Sequence, residues 1–106
     1  MIEQQTIQKA VETLLEAAPR GSDVILFGSY ARGDAREGSD LDFLVVEPAL
    51  ASRREEMVRL RQALRPLGIP VDVLVVSRAV FEGWKDKPNT VIFQAAREGR
   101  VFSHAA

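Results

Sequence analysis

The chain contains no cysteine. Disulfide frameworks, thiol chemistry and zinc knuckles are therefore excluded, and the composition fits a reducing compartment. Neither sign of charge is in excess: 14 Lys and Arg stand against 15 Asp and Glu, a formal net charge of −1. Nothing in that balance favours a surface that coats nucleic acid, and no direct nucleic-acid binding is expected. Long apolar runs are missing as well; none approaches the roughly 20 residues that span a bilayer, so no membrane role is expected. Met1 to Gln5 has neither the basic start nor the apolar core of a secretory signal. A cytoplasmic location is the expectation. The single histidine, His104, falls in a stretch read as a frayed tail and is given no role.

What is present is an ordinary globular composition, 46% hydrophobic and 27% charged over 106 residues. That supports one domain, residues 1–106, with a single modest core. Apolar residues Ile7, Ala10, Val11, Leu14, Leu15 and Ala18 recur at helical steps, so residues 2–18 read as an amphipathic helix stopped by Pro19-Arg20-Gly21. Val24 to Phe27 is a short apolar run between turn residues, the mark of a buried strand. A helical turn over 29–32 and an exposed loop over 33–39 follow. Leu41 to Val46 is a second strand. A helix over 50–67 presents Met57, Leu60, Leu64 and Leu67 on one face, with Glu55 placed to pair with Arg59. Val71 to Val76 is a third strand. Beyond it the pattern predicts a short helical segment over 78–84, a helix start at Asp86-Lys87-Pro88 with Gly99 as its cap, and a small strand at Arg100 to Phe102.

The stretch from Leu26 to Val46 organises the rest. It runs from one predicted strand through Gly28-Ser29 and, after ten intervening residues, enters the next strand through Asp40-Leu41-Asp42. Side chains alternate along a strand, so Asp40 and Asp42 share a side with Leu44 and Val46. Leu41-Asp42-Phe43-Leu44-Val45-Val46 is echoed by Val71-Asp72-Val73-Leu74-Val75-Val76. The two strands are apolar on both faces, as strands covered on each side are. The helix between them is long enough for a crossover, which makes them a parallel pair with Asp42 and Asp72 at one end of the sheet. The first strand must then run antiparallel, giving a mixed sheet. Three carboxylates converging at a sheet rim repel one another and recruit cations. An oxygen-only donor set suits Mg²⁺ or Mn²⁺. Gly28 allows close backbone approach, and Ser29 with the amides after it can donate to phosphate. Together these residues predict a site for a nucleoside triphosphate and its divalent metals. Arg32 and Arg36 are alternative phosphate contacts or solvated loop charges; Arg36 is read as solvated, and Arg32 stays open.

Gly28-Ser29, Tyr30-Ala31-Arg32-Gly33-Asp34 and Ser39-Asp40-Leu41-Asp42 resemble the signature of the minimal nucleotidyltransferases (MNT) of the DNA polymerase β-like superfamily, and Asp72 falls where that family has its third carboxylate. The resemblance implies an α/β (α+β) nucleotidyltransferase fold, a small mixed sheet with helices packed on it, ATP as donor and two Mg²⁺ ions as cofactor. It implies that Asp40, Asp42 and Asp72 are the catalytic metal ligands, with Asp72 also helping to deprotonate the attacking hydroxyl. Gly28, Ser29 and Arg32 would bind the nucleotide. Small family members act as antitoxins beside a HEPN toxin, by transferring AMP to a tyrosine hydroxyl of that partner in a hetero-oligomer. The expectation is a protein adenylyltransferase of this kind. Two alternatives stand beside it: a nucleotide-binding module that neutralises its partner by occlusion without turnover, and a nucleotidyltransferase acting on a small molecule. Phe81, Trp84 and residues 100–106 are unassigned candidates for the partner-facing surface.

Overall fold

In the computed structural model, which describes residues 1–104, two facing rows of side chains fix the architecture. Along β2 (Leu41–Glu47) and β3 (Val71–Ser77), one row is Phe43, Val45, Val73 and Val75, and the other is Leu44, Val46, Leu74 and Val76. The first row packs with Val24 and Leu26 of β1 (Asp23–Phe27) against Ile7, Ala10, Val11 and Leu14 of α1 (Gln4–Ala17) and Leu60 and Leu64 of α3 (Arg53–Leu64). The second row packs with Ile25 and Phe27 against Ala95 and Ile92 of α5 (Val91–Glu98) and Phe81 of α4 (Arg78–Trp84). A sheet covered on both faces has no polar row, which is why the strands read as continuous apolar runs.

The sheet order is β3-β2-β1-β4, with β4 spanning Arg100–Ser103. β2 and β3 are parallel and joined through α3; β1 is antiparallel to both β2 and β4. The mixed sheet is the one expected, and the predicted small strand at 100–102 is β4, hydrogen-bonded to the free side of β1. α2 (Ser29–Arg32) is a single turn between β1 and the loop leading to β2. Among the described residues no helix is long and apolar enough to cross a membrane.

Several local expectations are corrected. α3 starts at Arg53 rather than near residue 50, because the Ser52 hydroxyl accepts from the Glu55 amide at 3.3 Å and caps it. It passes into a tighter turn over Arg65–Leu67 ahead of Gly68, whose φ of 62° closes the segment. The final helix starts at Val91, not at Pro88, because the Thr90 hydroxyl accepts from the Phe93 amide at 3.1 Å. Gly99 caps that helix as expected, its amide donating to the Ala95 carbonyl at 2.9 Å, but with an ordinary negative φ; a glycine is needed there because a Cβ would strike the Ile25 side chain and the Ala95 carbonyl. Arg59 pairs with Glu56 at 2.7 Å, one residue nearer than the expected Glu55. His104 is not frayed: its ring nitrogen contacts the Leu15 carbonyl, which docks this residue on α1. Ala105 and Ala106, the end of the 100–106 segment, lie outside the described residues.

β2 ends on an unexpected buried charge. Glu47 is 2% exposed, and its Oε2 has no hydrogen-bond partner. Burial pushes its carboxyl up to about 8, helped by a hydrogen bond with Glu56 and that neighbour's charge. Glu56 is drawn the opposite way, chiefly by its hydrogen bonds from Arg59.

Candidate active site

The site forms where β1 ends and β2 and β3 begin. Parallel pairing sets Asp42 directly opposite Asp72, and antiparallel pairing sets Asp42 opposite Phe27. Both carboxylates therefore project from the face that carries Leu44 and Leu74, on neighbouring strands about 5 Å apart. Asp40 lies two residues before Asp42 in the exposed end of the loop. Burial raises the Asp42 carboxyl above its ordinary range, and the charges of Asp72 and Asp40 push it further the same way. The Asp42 carboxyl is thus the one on which the charges of its two acidic neighbours converge.

Gly28 brings the backbone against that cluster. Its φ of 78° and ψ of −158° belong to a region that side-chain-bearing residues avoid. A Cβ built there would overlap the Asp42 carboxylate, with the Cγ at 3.1 Å. The Gly28 carbonyl then accepts from the amides of Ala31 and Arg32, both at 3.0 Å, to form the α2 turn, and Gly33 closes it with a φ of 88°. The Ser29 and Tyr30 amides that open the turn have no acceptor within it and run along its axis, where an anion can meet them. Tyr30 fixes the turn from outside: its hydroxyl accepts from the Ile2 amide at 3.0 Å.

Two residues that the sequence reading did not single out complete the site. Glu98, at the end of α5, accepts from the Gly28 amide at 2.9 Å, from Gln94 Nε2 at 2.8 Å and from Arg32 Nη1 at 3.1 Å. Burial works against its charge, yet the hydrogen bonds from Gln94, Gly28 and Arg32 hold it below the usual carboxylate range. Arg32 is held in turn by Asp34 and Glu98, which favour its charged form. Its guanidinium faces the glycine turn as part of a clamp, whereas Arg36 is exposed in the loop, where only its backbone is bonded, to Ser39. The second missed residue is Arg61 of α3, whose Nη2 meets Asp72 Oδ1 at 3.2 Å. No local signal in the sequence ties Glu98 to a glycine 70 positions earlier.

The donor chemistry fits a hard divalent cation, since carboxylate oxygens, one of them repelled by its neighbours, surround a backbone turn that leaves room for phosphate. Among the described residues no trio of acidic or histidine side chains stands in ready-made ligating geometry. The physical reason is visible at Asp72, which is turned to Arg61, and at Asp40, which is exposed to solvent.

Comparison with known proteins agrees with this geometry. The family described as "Nucleotidyltransferase domain" matches residues 7–99. A provisionally named protein adenylyltransferase of Methanocaldococcus jannaschii is 35% identical over 68 residues, 64% of this chain and 66% of that protein. The chain therefore aligns with just under two thirds of the length of that relative. The solved structure of a protein assigned as a minimal nucleotidyltransferase is 33% identical, with a TM-score of 0.62 over 93% of this chain and 95% of that one. The fold is shared with a chain from the complex of a tri-AMPylated Shewanella oneidensis HEPN toxin with its MNT antitoxin, at 19% identity and a TM-score of 0.62, covering 97% of this chain and 74% of that one.

Proposed function

The chain belongs to the nucleotidyltransferase domain family, and from that membership we propose that it transfers AMP from ATP to a hydroxyl, tyrosine in the first instance, of a HEPN-type toxin and so acts as its antitoxin. The observation that carries this reading is the pairing of Asp42 with Asp72 across parallel strands, beside a glycine turn with no room for a side chain. The fold-level likeness to an antitoxin whose toxin bears three AMP groups supports the choice of acceptor.

In this reading Asp40, Asp42 and Asp72 hold Mg²⁺, two ions in all, with Mn²⁺ as a substitute. The bound cations supply charge stabilisation for an in-line displacement at phosphorus. Gly28 leaves the space in which the triphosphate lies, Ser29 holds it through its backbone amide and hydroxyl, and Arg32 offsets its charge from the rim. Glu98 keeps the turn in shape by accepting the Gly28 amide, and it aims Arg32 across it. Asp72 takes the proton of the attacking hydroxyl on a carboxylate oxygen as the new P–O bond forms and pyrophosphate leaves. ATP supply and the absence of cysteine support a cytoplasmic setting.

The test is to incubate the protein with α-labelled ATP, Mg²⁺ and the HEPN-type toxin proposed as its partner. Label is expected on the toxin, and Asp40→Asn and Asp72→Asn are each expected to abolish it. Neutralisation by those variants at full strength without label transfer would establish occlusion instead. Label on a small molecule but not on the toxin would establish the other alternative.

A further inference from the structure

Beyond Asp42 and Asp72, the same face of the sheet continues through Leu44 and Leu74 to Val46 and Val76. The short helices α4 and α5 cover it incompletely. They leave an open groove of about 540 Å³ walled by Val76, Val80, Trp84 and Ile92. It continues into a hollow of about 330 Å³ over Leu44 and Leu74, beside Val91. Val80, Trp84 and Val91 are 44%, 45% and 45% exposed, so large apolar side chains line an open channel. The near end of that channel lies two strand residues from the carboxylates, roughly 7 Å.

Stereochemistry assigns the occupant. In an in-line displacement the attacking oxygen approaches opposite the leaving group. If the triphosphate lies on the Gly28–Ser29 turn that follows β1, as proposed above, in-line attack would come from the side of Asp72 on β3, two strands away in the order β3-β2-β1. The groove opens there. Its β3 edge is basic: Arg53 lines both hollows, and Arg61, further along α3, reaches Asp72. Resting on the proposed AMP transfer, we propose that this groove docks the acceptor protein through a segment that carries its hydroxyl among apolar side chains and is flanked by acidic residues. Apolar packing against Val80, Trp84 and Val91 would hold that segment, and the arginine border would fix its direction.

Trp84 is the only tryptophan in the chain and reports directly on the groove. Three measurements with the protein and the proposed toxin partner decide the matter. Tryptophan-free toxin is expected to shift Trp84 emission to the blue, whereas MgATP alone leaves it unchanged. Val80→Asp and Val91→Asp, at exposed positions where folding tolerates a charge, are expected to raise the KM for toxin at least tenfold and the KM for ATP less than twofold. Glu12→Lys, exposed on α1 over the opposite face of the sheet, is the control expected to transfer AMP normally. Unaltered KM for toxin in both groove variants overturns the assignment and leaves AMP transfer standing. A response of Trp84 to MgATP alone, without toxin, overturns it in favour of a nucleobase in the groove. If the unaltered protein transfers no AMP, the functional reading fails, while a toxin-induced Trp84 shift in that case still supports docking here.

Discussion

Replacing Gly28 by alanine tests the packing of the turn against the carboxylate cluster. Two costs are separable. The backbone at φ 78° and ψ −158° is a glycine conformation, and holding alanine there costs about 1–3 kcal/mol. The added methyl also overlaps the Asp42 carboxylate, so that side chain must rotate away from Asp72. For a chain of this size each kcal/mol lowers Tm by about 4–8 °C, so backbone strain alone predicts a loss of about 4–24 °C. The steric part is isolated by a double-mutant cycle with Asp42→Ala, which removes the colliding oxygens but not the strain. Thermal unfolding followed by circular dichroism should show Gly28→Ala costing at least about 0.5 kcal/mol less in the Asp42→Ala background than in the parent. MgATP should raise the Tm of the parent but not of Gly28→Ala. A Gly28→Ala protein that melts like the parent and is still protected by MgATP would refute the reasoning. Equal losses in both backgrounds would refute the steric half of it.

Glu98→Ala removes a carboxylate that accepts three hydrogen bonds and should destabilise the fold by about 1–3 kcal/mol while raising the KM for ATP; a variant with parental Tm and KM would show that the clamp is incidental. Glu47 has a folded-state pKa raised above its unfolded value. Its contribution to stability is therefore complete below about 4.5 and declines as pH rises through about 8. Urea denaturation across that window should show the decline in the parent and a flatter profile in Glu47→Gln; an identical profile would rule out Glu47 as its source. Phe43 is fully buried between β1, β3 and the α1–α3 layer, so Phe43→Ala should cost about 3–5 kcal/mol by denaturant titration.

The acidic pair was legible in the sequence because parallel register is carried by a pattern. The echo between residues 41–46 and 71–76 put Asp42 and Asp72 at equivalent places, and the observed ladder pairs them residue for residue. Strand direction followed from where Gly28 had to lie. The limits of helices were less legible, since Ser52 and Thr90 act as caps through hydroxyl geometry that composition does not distinguish from Pro88. Which of two adjacent glutamates meets Arg59 depends on Ala17 and Glu47 nearby, and these are brought there only by tertiary packing. Glu98 and Arg61 were invisible for the same reason. Each reaches the site from a helix that is amphipathic for reasons of its own, and a charged residue on such a helix reads as solvated.

The central claim is that Asp42 and Asp72 share a cation beneath the triphosphate. Electron paramagnetic resonance titration of Mn²⁺ in the presence of a non-hydrolysable ATP analogue tests it without requiring turnover or a partner. Tight binding by the parent and at least tenfold weaker binding by both Asp42→Asn and Asp72→Asn is the predicted result; Asp72→Asn binding Mn²⁺ as tightly as the parent would contradict it.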